Sequence, residues 1–344
     1  MTTEPIAAQA IIIGAGPVGL FTVFEMGINN IRCHLVDGLD RIGGQCAELY
    51  PEKPIYDIPA VPVCTGQELT DRLMEQIKPF NPVFHMGQMA TALEKLPDGG
   101  WRVTTDAGTI LEAPVVVIAS GGGSFVPKKL PLPNIESYEG NSLFYAVRQK
   151  DKFRGKHVVI AGGGDSALDW LRVLQPDAAS IALVHRRDEF RAAPDSVGHM
   201  RQLVAAGKAA LQIGQLVEVT GTGTQITGVT LKSESGTTSQ IPCDCLLAFY
   251  GLTMKPGPVA EFGLVMQDHM LTVDQATFET SAPGVFAVGD ICTYPGKMKL
   301  ILSGFHEAAL AAKRAFALAH PGERYRFQYT TSSSDLHSKL GVEK

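Results

Sequence analysis

Short apolar runs that stop on glycine recur along this chain. QAIIIGAGPVGLFTVFEMG reads as a buried strand, a glycine turn and a helix, and IRCHLVD reads as the next strand. The same order returns in GKHVVIAGGGDSALDWLRVL and SIALVHRRDEF. VFHMGQMATALEK is strand-like, and QIPCDCLLAFYG alternates as a strand, which would place Cys243 and Cys245 on one side of it. Near the end, TSAPGVFAVGDICTYPGKMKLILSGFHEAALAAKRAFALA predicts a strand, a Gly289-Asp290 turn, a loop and a long amphipathic helix beginning near Gly304. Repeated strand–turn–helix units predict an α/β chain.

The two glycine turns carry the chemistry. Gly14, Gly16 and Gly19 form G-x-G-x-x-G, with Pro17 inside the motif. The first glycine permits the turn, the second lets a pyrophosphate approach the backbone, and the third lets helix and strand pack closely. The helix start adds amide N–H groups and the positive dipole end. The next strand ends in Asp37, an acceptor for a ribose diol. In the second unit Gly162, Gly164 and Ala167 form G-x-G-x-x-A within GGGDSALDW, with Asp165-Ser166 between Gly164 and Ala167. The offset from Gly14 to Asp37, applied here, lands on His185, followed by Arg186 and Arg187, with Arg191 close behind. Arginines suit a 2′-phosphate where an acid suits a free 2′-hydroxyl. The first site therefore reads as one for a bound flavin dinucleotide, FAD, and the second as one for a diffusing NADP(H). Asp290 is suited to hold a ribityl hydroxyl, and the last helix can point its N-terminus at the flavin pyrimidine ring.

Composition narrows the class. The chain has 344 residues, 45% hydrophobic and 19% charged, enough for two domains. A net charge of −5 argues against a general nucleic-acid or membrane-surface binder. No apolar run approaches the ~18 residues of a membrane span, and the N-terminus reads as a first strand rather than a signal peptide. The six cysteines contain no C-x-x-C, which suits buried thiols in a reducing cytoplasm, and no metal centre is expected.

On GAGPVGL, GGQ followed by LYPEKPIYDIP, GGGDSALDW, HRRDEFRA and GVFAVGDI, the chain resembles the ferredoxin–NADP⁺ reductases of the thioredoxin-reductase-like type over essentially its full length. The resemblance implies two Rossmann-like dinucleotide-binding domains, the second inserted in the first. The FAD domain would span 1–121 and 285–344, and the NADP(H) domain 122–284. It implies a homodimer and electron exchange with ferredoxin or flavodoxin. Gln45 would approach the flavin and Tyr50 lie against its ring. Tyr329, from the C-terminal extension across the dimer, would cover the other face, with Thr330 and Thr331 near the flavin edge. Ala90 falls where this fold offers backbone to the adenine, and Phe125 falls near the flavin. Thioredoxin reductases carry C-x-x-C just before the second glycine motif, where this chain reads NSLFYAVRQKDKFRGKHVVIAGGG. Without a dithiol, Cys46 is expected as a packing residue. A disulfide reductase and a nucleotide-sensing flavoprotein without turnover are the competing readings. Residues 290–344 carry about +3, including Lys297, Lys299, Lys313, Arg314, Arg324, Arg326 and Lys339, either a solvated face or a surface for an acidic partner.

Overall fold

The computed structural model of the chain describes residues 4–255 and 257–342, and only the backbone of Ser124, Phe125, Val126 and Met254. Its helices are α1 (Pro17–Gly27), α2 (Gly44–Leu49), α3 (Gly66–Ile77), α4 (Asp165–Leu174), α5 (Pro194–Ala205), α6 (Ile301–Ala319) and α7 (Ser334–Lys339). The chain divides into two compact units. One comprises Met1–Glu48, Pro54–Ser124 and Met254–Lys344, the other Leu49–Lys53 and Phe125–Thr253.

The first unit is built on a five-stranded parallel sheet in the order Val285–Ala287, Val115–Ile118, Ala10–Ile13, Cys33–Asp37, Val83–Met86. Ala10–Ile13 and Val115–Ile118 are buried along their whole length, as strands covered on both faces must be. A second sheet pairs Ala90–Lys95, Trp101–Thr105 and Ile110–Ala113 antiparallel and adds Ile6–Ala7 in parallel. VFHMGQMATALEK thus splits between the two sheets. Helix α1 enters through Gly16 with Pro17 in its first turn, where a missing N–H costs nothing. Helix α3 starts on a capping box: Thr65 Oγ1 accepts from Glu68 N at 3.1 Å, and Glu68 Oε2 accepts from Thr65 N at 2.8 Å.

The second unit repeats the parallel design in the order Leu143–Phe144, Cys245–Phe249, His157–Gly162, Ser180–His185, Ala210–Ile213. A three-stranded antiparallel sheet follows, Gln215–Thr222, Gln225–Lys232 and Thr238–Pro242. Apolar clusters cover both faces of its parallel sheet, one holding Val158, Ile160 and Leu247, the other Val159, Ala161 and Leu246.

Three expectations change. The second unit ends at Thr253 rather than 284. Val259, Phe262, Leu264, Leu271 and Phe278 all pack into the first unit's core, and Trp101 Nε1 donates to Pro283 O at 3.0 Å. The segment 254–284 carries no glycine motif to reveal this. Cys243 and Cys245 do not share a side: Cys243 joins one apolar cluster and Cys245 the other, because Cys243-Asp244 lies between strands and breaks the alternation. Burial pushes these thiols up to about 12 and about 11, as inert packing residues. Helix α6 begins at Ile301 rather than Gly304. Gly304 lies inside it because a Cβ there would come 2.3 Å from Val18 Cγ2 of α1.

Burial pushes the Glu25 carboxyl on α1 from its ordinary 4.5 up to about 7. The folded chain then holds a proton that the unfolded chain releases, so this group's contribution to stability is full below about 4.5 and is lost as the pH rises to about 7. The melting temperature of Glu25→Gln should therefore fall less than that of the parent between pH 4.5 and 7. Parallel pH profiles would contradict this.

Candidate functional site

The first glycine turn is made by backbone touching backbone. A Cβ on Gly14 would lie 2.4 Å from Ala119 O, and one on Gly19 would lie 2.0 Å from Gly14 O. Gly14 has φ +114°, a region open to glycine. At Gly16, in contrast, a Cβ would make only an ordinary contact, with Gly44 Cα at 3.9 Å. Asp37 closes the turn: Oδ2 accepts from Ala15 N at 2.7 Å and Oδ1 from Leu39 N at 2.8 Å. Burial raises the Asp37 carboxyl and those two N–H groups oppose the rise. Two acceptor positions remain for a ligand hydroxyl.

The GGQ segment is built onto this turn. Gly43 N donates to Ala15 O at 2.9 Å, and a Cβ on Gly44 would meet Gly16 Cα at 3.0 Å. Gln45 follows on α2, its Nε2 beside Gly121. Cys46 is buried. Ala90 starts a strand opposite Thr105, and Gln88 N donates to Asp37 O at 3.0 Å, which brings this segment to the end of the Asp37 strand. Gly289 has φ +78° and presents Asp290. Burial raises the Asp290 carboxyl, with Lys297 and Lys299 opposing and Glu307 adding to the rise. Among the described residues Asp290 has no hydrogen-bond or ion-pair partner, and Ser120 Oγ is buried without one. A backbone cradle with an unpartnered hydroxyl and an unpartnered carboxylate fits a ligand that carries phosphates and hydroxyls.

The second unit repeats the plan with different ends. A Cβ on Gly162 would lie 2.6 Å from Phe249 O, whereas Gly164 has nothing within 4 Å on that side. Where Asp37 bonds to Ala15, the His185 ring lies against Gly163, whose added Cβ would come within 2.3 Å of it. His185 Nε2 pairs with Glu189 O at 3.1 Å. Burial lowers His185, the Glu189 carbonyl opposes this, and Arg186, Arg187 and Arg191 lower it further, so the ring is neutral at pH 7. The three arginines are exposed, and among the described residues their side chains have no hydrogen-bond or ion-pair partner. Asp165 is occupied structurally: Oδ1 accepts from Ala193 N at 2.8 Å, which ties the arginine loop to the start of α4. Ser166 is exposed beside it.

The remaining expected residues are spread out. Tyr50 lies in the second unit, half-buried against its core, with Lys53 Nζ 5.9 Å from the ring centroid. Tyr329 is 71% exposed and makes an edge contact with Phe327, itself 68% exposed. Thr330 and Thr331 are exposed next to it. The end of the chain is nevertheless tied down, for Leu336 of α7 is buried in the first unit's core and His337 Nε2 pairs with Thr330 O at 2.9 Å. The side chain of Phe125 lies outside the described residues.

Lys297 does not belong to a surface patch: its side chain is 6% exposed and paired with Glu307, which is fully buried. Sequence reasoning left Glu307 without a role and missed Ser120. Glu307 lies on the buried stripe of α6 with Gly304, Ala308, Ala311, Ala312 and Ala315. An acid at that spacing was the available signal. Ser120 had none.

Two such turns on two parallel sheets define a protein with two dinucleotide folds. The family described as pyridine nucleotide-disulphide oxidoreductase matches residues 8–315. A protein of Bradyrhizobium sp. (strain ORS 278) named ferredoxin–NADP reductase is 60% identical over 340 residues, 99% of each chain. Another of that name from Bradyrhizobium sp. (strain BTAi1) is 58% identical over 340 residues, again 99% of each. Among solved structures, the T. acidophilum thioredoxin reductase superposes with a TM-score of 0.75 at 22% identity, covering 90% of this chain and 98% of that one. The chain belongs to the pyridine nucleotide-disulphide oxidoreductase family and, within it, to the ferredoxin–NADP reductases with the thioredoxin-reductase-like fold.

The glycines separate folding from binding. Gly14→Ala should destabilise the fold by about 3 kcal/mol or more, from the forced φ and the clash with Ala119 O. Gly164→Ala should melt like the parent and weaken dinucleotide binding by about tenfold to a hundredfold, by spoiling charge-assisted bonds to phosphate. Calorimetric melting with equilibrium binding checks both. An intact Gly164→Ala affinity would contradict the cradle.

Proposed function

We propose that this chain is an NADPH-dependent flavoprotein reductase that passes electrons to ferredoxin or flavodoxin through FAD. The observation that carries this reading is one glycine turn built twice, closed by an aspartate in the first unit and by a neutral histidine with three unpaired arginines in the second. FAD suits the first unit. Gly14–Gly19 and the start of α1 receive its pyrophosphate, Asp37 its ribose, and Ser120 and Asp290 its remaining polar groups, while α6 points its N-terminus at the ring. Gln45 approaches the flavin, and Ala90 offers backbone to the adenine. NADP(H) suits the second unit, where Arg186 and Arg187 grip the 2′-phosphate, Arg191 assists, and His185 forms the floor. Bound flavin would supply the conversion of one hydride's electron pair into two single-electron transfers. The transfer needs no acid–base triad, and the chain's residues bind, orient and cover.

The exposed Phe327 and Tyr329 suit a homodimer in which Tyr329, with Thr330 and Thr331, covers the flavin of the second copy while Tyr50 covers the first face. One aromatic would then have to swing away, or the NADP(H) domain rotate, before hydride transfer. Lys299, Lys313, Arg324 and Arg326 are exposed and suit an acidic partner; Lys297 is not among them. With six buried cysteines and no disulfide among the described residues, a dithiol reaction has no surface thiol pair to use. A cytoplasmic location fits buried thiols of this kind.

Cytochrome c reduction by the purified protein tests the reading: NADPH should far outrun NADH, and added ferredoxin should stimulate turnover. Activity indifferent to ferredoxin would contradict the assigned partner. Arg186→Ala with Arg187→Ala should raise KM for NADPH by about tenfold to a hundredfold and leave NADH use unchanged. Equal losses with both nucleotides would contradict the 2′-phosphate role. Tyr329→Ser should change the rate of flavin reduction in stopped-flow; an unchanged rate with an unchanged flavin spectrum would rule out the covering role.

A further inference from the structure

The Glu307 carboxylate is buried in the first unit and accepts from four groups of the 289–297 loop. Oε2 accepts from Gly289 N at 2.6 Å and Cys292 Sγ at 3.4 Å. Oε1 accepts from Tyr294 O–H at 2.8 Å and from the Lys297 ammonium. Glu307 is 0% exposed and Lys297 6%. The loop is therefore wrapped around one carboxylate, and its first member is the N–H of the glycine that aims Asp290. On the other side, α6 is pressed onto α1 through Gly304 and Val18, and Val18 also lies 3.5 Å from where a Gly289 Cβ would be. One side chain thus links the Gly289-Asp290 turn, the loop and the first turns of α6.

Stability alone does not account for this arrangement. A buried ion pair contributes little net stability compared with well-packed apolar residues, whereas losing one partner leaves an uncompensated charge. The carboxylate and ammonium cancel as a pair, and Lys297 lies near enough to Asp290 to favour its charged form against burial.

We propose that Glu307 and Lys297 are positioning residues of the FAD site: the pair holds the Gly289-Asp290 turn in its ligand-presenting conformation, and its charge balance sets the reduction potential of the bound flavin. This rests on the reading that the first unit binds FAD. Removing the Glu307 charge leaves a cation that stabilises the more negative reduced flavin, so Glu307→Gln raises the potential. Lys297→Met leaves an anion and lowers it. The double variant returns toward the parent potential. A merely structural role would shift both single variants alike or not at all.

The test is FAD dissociation followed by flavin fluorescence, with the midpoint potential from equilibration with redox dyes, on the full-length parent, both single variants, the double variant and Glu307→Asp. The expected result is weaker FAD binding in both single variants, partial recovery in Glu307→Asp, and potential shifts of opposite sign. Unchanged affinity, or shifts of the same sign, overturns the proposal. Should Glu307→Gln fail to fold, Lys297→Met alone decides, since an unchanged or raised potential in it overturns the proposal. A parent protein that binds no FAD overturns the underlying cofactor reading, and this is seen before any variant is measured.

Discussion

Everything in this molecule depends on two places where main chain lies directly on main chain. At Gly14 and Gly19, and again at Gly162, the separation between strand, turn and helix is smaller than any side chain allows. That closeness brings the helix start to the sheet edge and leaves the neighbouring glycines uncrowded, Gly164 facing open space and Gly16 only Gly44 Cα at 3.9 Å. Steric exclusion of Cβ at one glycine and room at the next are the two requirements of a dinucleotide-binding turn. The apolar strands behind each turn supply the burial that keeps it rigid.

The difference between the units lies in what rests on the middle residue of each turn. Asp37 accepts an N–H there, and burial raises its carboxyl while the N–H groups of Ala15 and Leu39 oppose the rise. His185 lays a neutral ring on Gly163 and leaves the polar work to the arginines that follow. One backbone plan thus presents an acceptor in the first unit and positive charge in the second. This is the physical basis for assigning them unlike ligands.

Much of this was legible in the sequence because it is local. Glycine spacing, the apolar strand before it and the residue ending the next strand all fall within one stretch of chain. Contacts between distant segments were not. The segment 254–284 gives its apolar side chains to the first core without any motif, and Trp101 reaches Pro283 across the chain. The C-D-C pair looked like alternation until the chain turned between its cysteines. Lys297 looked like surface charge because nothing local shows that Glu307, ten residues on, draws it inward. Ser120 is an ordinary serine in sequence and acquires meaning only as a buried hydroxyl with no partner among the described residues.

The central claim is that the two turns serve two different dinucleotides joined in one electron path. Its most direct measurement is an anaerobic single-turnover experiment on the purified protein: one equivalent of NADPH, then oxidised ferredoxin, with the flavin absorbance followed throughout. The account predicts that NADPH bleaches the flavin band, that NADH does so far more slowly, and that ferredoxin restores it. A flavin that bleaches equally with both nucleotides, or stays bleached when ferredoxin is added, would contradict it.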